Sequence, residues 1–421
     1  MTYDLLLVNG HVLDPGQGIG DRLDIAITGG RIAAVQREIP PGQARQVLDL
    51  SGTGRYVVPG LIDVHTHVAY GATTPGVGMQ CCAPDFIGVE SGVTTVLDAG
   101  SVGVANVGVL AAHVVDQART RIICYLNVGS HAHSMPGKAD VSALTDINAD
   151  AIRACVAANP GLVRGFKLRL VGPLVLTDGE EIVTRSKALA REHGVPLMVH
   201  IGDLFGAAET AARMQEVTRF LIESFGPGDI LTHLCTPNVG GVMHAFDQTA
   251  PLLAAARARG VVLDSALGMG NFGYRVAKEQ HAAGLGPDTI SSDLTVFGQT
   301  FHSLLECMAK FMAVGYSLSE VVEMTTANAA RAIGLGDTLG AIAVGREADL
   351  TVFDMVPGEF EFTDTVKESF TGEAGLAPVQ TIRAGVPYAP RWGTHPWGWL
   401  PARAKAVGNP SPAATAVAAT S

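Results

Sequence analysis

Between residues 57 and 294 the chain repeats one pattern eight times: a short apolar run, often β-branched, followed by a longer Ala-rich stretch of helical period. The runs are VVPGLIDVH, TTVLDAG, RIICYLNVGS, VRGFKLRL, PLMVHIG, DILTHL, VVLDSA and TISSDL. Strands that are apolar on both faces and alternate with helices belong to a parallel sheet covered by those helices. Eight such units predict a closed (β/α)8 TIM barrel, an α/β fold. The segment DGEEIVTRSKALAREHG, acidic at its start and stopped by glycine, reads as one of the outer helices.

The two ends read differently. YDLLLVNGHVLD, RLDIAITGGRIAAVQ and ARQVLDLSGTGRYVVPG near the start, and TLGAIAVGREADLTVFDM and VQTIRAGVPY near the end, are short strands broken at Gly-centred turns. They predict a smaller β-sandwich domain built from both ends, residues 1–57 and 338–392, around a barrel at 58–337. The remainder, 393–421, is rich in Pro, Ala and Ser and is expected to be a partly irregular tail.

A formal charge of −11 argues against a nucleic-acid partner, which needs a basic face to neutralise phosphate. It does not exclude an anionic small molecule, because a metal ion or one buried arginine outweighs the mean field locally. The six cysteines form no C-x-x-C pair and read as buried free thiols. The start lacks a basic, apolar leader, and no apolar run approaches the roughly 20 residues that span a bilayer. A cytoplasmic protein is expected, with a small-molecule substrate, no nucleic-acid or membrane partner, and assembly as a homo-oligomer.

The first barrel strand ends in Asp63-Val64-His65-Thr66-His67. Residues i and i+2 of a strand share a side, so His65 and His67 can grip one metal ion, or be two core histidines. Polar residues recur on the later strands: Lys167 in GFKLRL, His200 in LMVHIG, His233 in ILTHLC and Asp293 in ISSDLT. A barrel brings the C-terminal ends of its strands to one place. A buried lysine or aspartate without a partner costs several kcal/mol, and a metal cluster is the simplest remedy. The chain has only seven lysines, which makes one inside an apolar strand informative.

This order of motifs resembles the binuclear amidohydrolase superfamily over about residues 1–390, including the VPGLIDVHTH segment and the split β-sandwich. The resemblance implies that Lys167 is carboxylated by CO₂ to N6-carboxylysine, a carbamate bridging two divalent metal ions. It further implies one ion held by His65, His67, Lys167 and Asp293, and the other by Lys167, His200 and His233. A bridging hydroxide would attack the carbonyl, and Asp293 would be catalytic, shuttling the proton to the leaving group. Zinc suits imidazole ligands, and Mn, Co or Ni would fit the same set. Within the superfamily, GFKLRL, LNVGS and D-x-x-x-G-x-G-N-F at 264–272 resemble a deacetylase-like branch related to dihydroorotases. Dihydroorotases carry an arginine two positions beyond the second strand-one histidine. This chain reads His67-Val68-Ala69-Tyr70, without that carboxylate clamp.

Other residues are weighed against plainer roles. Arg169 shares the inner side with Lys167 and is either a substrate-carboxylate anchor or half of an ion pair with Asp63 or Asp98. His131 and His133 lie on the rim after strand three. Gly268, Gly270 and Asn271 lie in the loop after strand seven, where glycines let backbone amides approach a ligand. The segment Tyr70–Pro84 reads as a lid, with Cys81 and Cys82 as packing thiols. The expected function is metal-dependent hydrolysis of an amide or ester bond in a small acylated molecule. The alternatives are a cyclic amidase of hydantoinase, dihydropyrimidinase or lactamase type, and an inactive barrel retained as a binding subunit.

Overall fold

The first and last strands among the described residues share one sheet. The computed structural model describes residues 2–52, 54–70, 81–130, 132, 139–203, 206–295 and 303–391. Its N-terminal part forms β1 (Tyr3–Asp14), β2 (Ile19–Thr28), β3 (Arg31–Gln36), β4 (Ala44–Asp49) and β5 (Arg55–Pro59). The barrel strands are β6 (Leu61–Thr66), β7 (Val93–Ala99), β8 (Arg121–Asn127), β9 (Val163–Arg169), β10 (Leu197–His200), β11 (Ile230–Thr232) and β12 (Val262–Asp264). The chain returns through β13 (Leu350–Thr363), β14 (Ser369–Arg383) and β15 (Val386–Tyr388).

The small-domain sheet runs β15-β14-β13-β5-β1-β2-β3. One edge of β1 serves two partners, pairing with β4 over Tyr3–Val8 and with β5 at His11 and Val12. Alternation along β1 sends Leu5 and Leu7 into one apolar cluster with Ile25, Val57 and Leu350. Leu6 and Val8 join Ala26 and Ile39 in another, so the sheet carries apolar packing on both faces. Pairing of β13 with β5 ties the two chain ends together through the strand that leads directly into the barrel.

The second sheet is parallel, in the order β12-β11-β10-β9-β8-β7-β6. On β9, Phe166 and Leu168 point outward into the helix layer beside Ile182 and Leu189. Gly165, Lys167 and Arg169 therefore point inward. The outer helix expected from DGEEIVTRSKALAREHG lies within Leu174–His193, which kinks at Asp178, where that segment begins, and ends on Gly194 in the left-handed conformation. No helix among the described residues is long and apolar enough to cross a membrane.

The eighth unit departs from a regular strand. Residues 289–294 close the ring through parallel bridges Asp264↔Thr289 and Thr66↔Leu294. Asp293 has φ +53°, which breaks the pleat, while its amide still donates to His65 O at 2.7 Å. The Ser291 hydroxyl bonds Asp264, and the Ser292 hydroxyl takes the Leu294 amide. Local side-chain bonding replaces the ladder here, and the irregular backbone is what presents Asp293.

Candidate metal centre

All six residues expected at the centre lie at the C-terminal ends of barrel strands. His65 is in β6 and His67 just beyond it; Lys167 is in β9; His200 ends β10; His233 follows β11; Asp293 lies in the eighth segment. All six are buried. The structure brings them together. One ligand atom from each of His65, His67 and Asp293 lies within 4.8 Å of the others. Lys167 Nζ is 2.8 Å from His65 Nε2, and the His200 and His233 rings are 4.1 Å apart between centroids.

Hydrogen bonds behind the rings fix which nitrogen faces the centre. Thr232 Oγ1 donates to Asp264 Oδ2 at 2.7 Å, so it accepts from His65 Nδ1 at 2.8 Å and leaves Nε2 facing inward. Asp264 is itself held by Thr289 and Ser291, making a carboxylate–hydroxyl–imidazole relay of the kind that orients metal ligands. His67 Nδ1 is 2.7 Å from Ser101 Oγ. His233 Nδ1 donates to Ala266 O at 2.7 Å. His200 is turned the other way, with Nε2 donating to Gly202 O at 3.0 Å and Nδ1 left for the site.

The electrostatics match a cation-binding role. Asp293 Oδ1 lies 3.0 Å from His67 Nε2 and 3.5 Å from His65 Nε2. Yet Asp293 Oδ1 and His233 Nε2 are both buried without a hydrogen-bond partner. Burial holds His65 and His200 well below the ordinary imidazole pKa and brings His233 down to about 3, so all three are neutral at pH 7. Burial alone would raise Asp293. The His67 ring against it is the first of the contributions that outweigh burial and keep the carboxylate below its ordinary value. Lone pairs and an anionic oxygen converge with too few protons between them, a donor set that fits a divalent cation.

Lys167 is lowered to about 7 by burial, over a floor that includes the Met198 sulfur at 3.7 Å. Gly100 makes its room, since a Cβ there would sit 2.6 Å from the lysine Cβ. Nucleophilic lysines arise in such surroundings, because an appreciable fraction of the amine is uncharged near neutral pH.

Arg169 reaches Asp140, with Nη1 3.5 Å from Oδ1, and Asp140 is held by Asn127 Nδ2 at 2.8 Å. The ion-pair partner is thus Asp140 and neither of the two anticipated. Asp63 instead accepts the Ser292 and His65 amides, and Asp98 accepts those of Val68, Ala69 and Ser101. Asp98 and Ser101 thereby shape the turn that carries His67. Gly268 lies against the centre, because a Cβ there would collide with Asp293 Oδ2. Gly270 and Asn271 are fixed from the strand-six loop: Asn238 Nδ2 donates to Gly270 O at 2.7 Å, and Thr236 Oγ1 to Asn271 Oδ1 at 3.0 Å. Cys81 and Cys82 are buried and form no disulfide, as expected, and the Cys82 amide donates to His67 O at 2.8 Å. His131, His133 and residues 71–80 of the expected lid lie outside the described residues.

Residues 56–386 match the family model for amidohydrolases. This chain belongs to the amidohydrolase family. A deacetylase of Agrobacterium fabrum is 33% identical over 369 residues, covering 86% of either chain. A deacetylase of Brucella anthropi is 31% identical over 343 residues, covering 80% of either chain. The crystal structure of an adenine deaminase is similar with a TM-score of 0.80 at 28% identity, over 92% of this chain and 100% of that one. As a family member the chain is a hydrolase of amidohydrolase type, on the barrel and split-sheet architecture that its sequence announces.

The relay through Thr232 and Asp264 and the Asn127–Asp140–Arg169 chain were not singled out from sequence. A signal existed for the first. Thr232 and Asp264 are polar residues in otherwise apolar strands, and buried polar groups in such strands need one another.

Proposed function

We propose that this amidohydrolase deacylates a small molecule, cleaving an amide or ester bond at the mouth of the barrel. The observation that carries the reading is the pair of buried atoms without partners, Asp293 Oδ1 and His233 Nε2, among neutral imidazoles and an ionised carboxylate. The names of the two deacetylase relatives favour an acyl group as the piece removed. Two divalent ions, zinc by ligand preference, would be held by His65, His67, Lys167 and Asp293 and by Lys167, His200 and His233, with Lys167 as the carbamate N6-carboxylysine. When bound, such ions supply Lewis acidity to a carbonyl oxygen and lower the pKa of water.

The protein's own groups do the rest. Asp293, ionised and facing the centre, accepts a proton from the attacking water and returns it to the departing nitrogen or oxygen. Arg169 can orient an anionic substrate group, and Gly268, Gly270 and Asn271 form the wall against which the acyl group lies; His131 and His133, outside the described residues, are offered as further substrate contacts. The barrel would span 58–337 and the small domain 1–57 and 338–392, in a cytoplasmic homo-oligomer whose assembly light scattering tests.

A panel of linear N-acetyl and O-acetyl compounds beside cyclic imides, assayed with metal-replete enzyme, tests the substrate class. Turnover of the linear compounds is expected. Turnover of rings alone would make the chain a cyclic amidase. Absence of both turnover and bound metal would make it an inactive barrel.

A further inference from the structure

Eight described non-glycine residues have positive φ, and three of them converge on the centre: His233 at 68°, Ala266 at 38° and Asp293 at 53°. Side chains with a Cβ hold that conformation only where the surroundings enforce it, and such strain collects at functional sites. Ala266 opens the loop after β12, and this loop touches two candidate ligands. Its Ala266 carbonyl fixes the His233 ring, and Gly268, also at positive φ (56°), abuts the Asp293 carboxylate. The shape of the loop therefore sets the directions of both side chains.

The near end of the loop is tied to the eighth segment by Leu267 N to Ser291 O at 3.2 Å and Gly268 N to Ser292 O at 2.9 Å. Its far end is tied to the other domain. The turn between β13 and β14 reaches across, and Thr365 brackets Phe272. The Thr365 amide donates to Phe272 O at 3.0 Å, its Oγ1 donates to the same carbonyl at 2.8 Å, and the Phe272 amide is 3.1 Å from that Oγ1. Asp364 Oδ2 accepts the Tyr274 amide at 3.0 Å. Asp364 Oδ1 accepts the amides of Val366 and Glu368, which stiffens the turn itself. Tyr274 then stacks on Phe370 of β14, with centroids 4.0 Å apart and planes 7° from parallel.

We infer that the β13–β14 turn is a latch: Thr365 and Asp364 are positioning residues that hold the strained 266–274 loop, and through it His233 and Asp293, in register for the reaction. The small domain then has a working part in the site, beyond completing the fold. The inference rests on the reading that the barrel mouth is the metal-bearing reaction centre.

Thr365→Val keeps the shape and removes the hydroxyl; Thr365→Ser keeps the hydroxyl and serves as the rescue. Two readouts on full-length protein are independent of turnover. Amide hydrogen exchange over peptides spanning 266–275 should rise about ten-fold in the valine variant and stay near wild type in the serine variant, with His65-containing peptides unchanged. Affinity for cobalt(II), followed by its visible absorption, should fall about five- to ten-fold in the valine variant alone. Unchanged exchange over 266–275, or raised exchange with unchanged cobalt affinity, overturns the latch. Failure of the wild-type protein to bind cobalt would instead sink the metal reading, and the exchange data would still judge the latch. Should Thr365→Val not fold, Thr365→Ala removes the same bonds and takes its place.

Discussion

At the N-terminal end of the barrel, charges answer one another. Arg121 reaches Asp349 and Glu347, each at 2.6 Å, and Lys187 bonds Asp229, which also caps the Leu197 and Gly226 amides. At the C-terminal end, Lys167 faces an imidazole and a thioether, and Asp293 Oδ1 and His233 Nε2 face each other's neighbours with no hydrogen bond. Buried lysines elsewhere do not look like this. Lys310, equally enclosed, donates to Thr363 O at 2.9 Å, with the Glu306 carboxylate 3.8 Å away. One end of the barrel is finished as protein. At the other, lone pairs and a carboxylate oxygen converge on one point, and that difference separates a stabilising polar cluster from one arranged for chemistry.

The comparison breaks most sharply at Asp293. Asp293→Asn removes the proposed proton carrier and should lower kcat by about 10²–10⁴-fold with folding retained, read by steady-state kinetics beside circular dichroism. Activity near wild type would remove Asp293 from the chemistry. The matching change at the other end is Arg121→Met, which takes the cation from the buried Asp349 carboxylate and leaves it the Ala384 amide. It should cost about 2–3 kcal/mol of stability in urea unfolding and leave kcat untouched.

Smaller changes sharpen the same contrast. Thr232→Val cuts the relay behind His65, and metal affinity should drop about 10–100-fold in a chelator competition. No drop would mean that the relay serves packing alone. The pH dependence follows from the neutral imidazoles. The folded pKa of His233, about 3, lies below its ordinary value of 6.5, so between those limits the unfolded chain binds more protons than the folded one. The His233 contribution is thus complete above pH 6.5 and is lost as pH drops, by about 1.4 kcal/mol per unit. Asp63, raised to about 7 by burial, acts in the opposite sense over the same window. The His233 share is therefore read as a difference: in chelator-treated protein between pH 6 and 5, His233→Asn should lose less stability per pH unit than wild type, by about that amount.

Much of this was legible in the sequence because burial writes itself as pattern. Strands covered on both faces give unbroken apolar runs, and a lysine or histidine interrupting one stands out. What escaped was decided by tertiary contacts. Nothing local announces that Asp293 adopts positive φ and turns the eighth strand into two bridges, or that β1 shares one edge between β4 and β5. Arg169 pairs with Asp140, a residue outside any strand, and strand alternation cannot supply such a partner. Thr232, Asp264 and Thr365 are ordinary residues whose roles come only from their partners. Arguments from spacing therefore found the groups that face the centre and missed those that stand behind them.

The central claim is that the mouth of this barrel is completed by metal. Elemental analysis by plasma mass spectrometry of protein purified without chelator tests it most directly, alongside Lys167→Ala. The account predicts about two divalent ions per chain in the wild type and a clear loss in the variant. A wild-type chain that carries none, and takes up none when zinc, manganese, cobalt or nickel is offered, would contradict it.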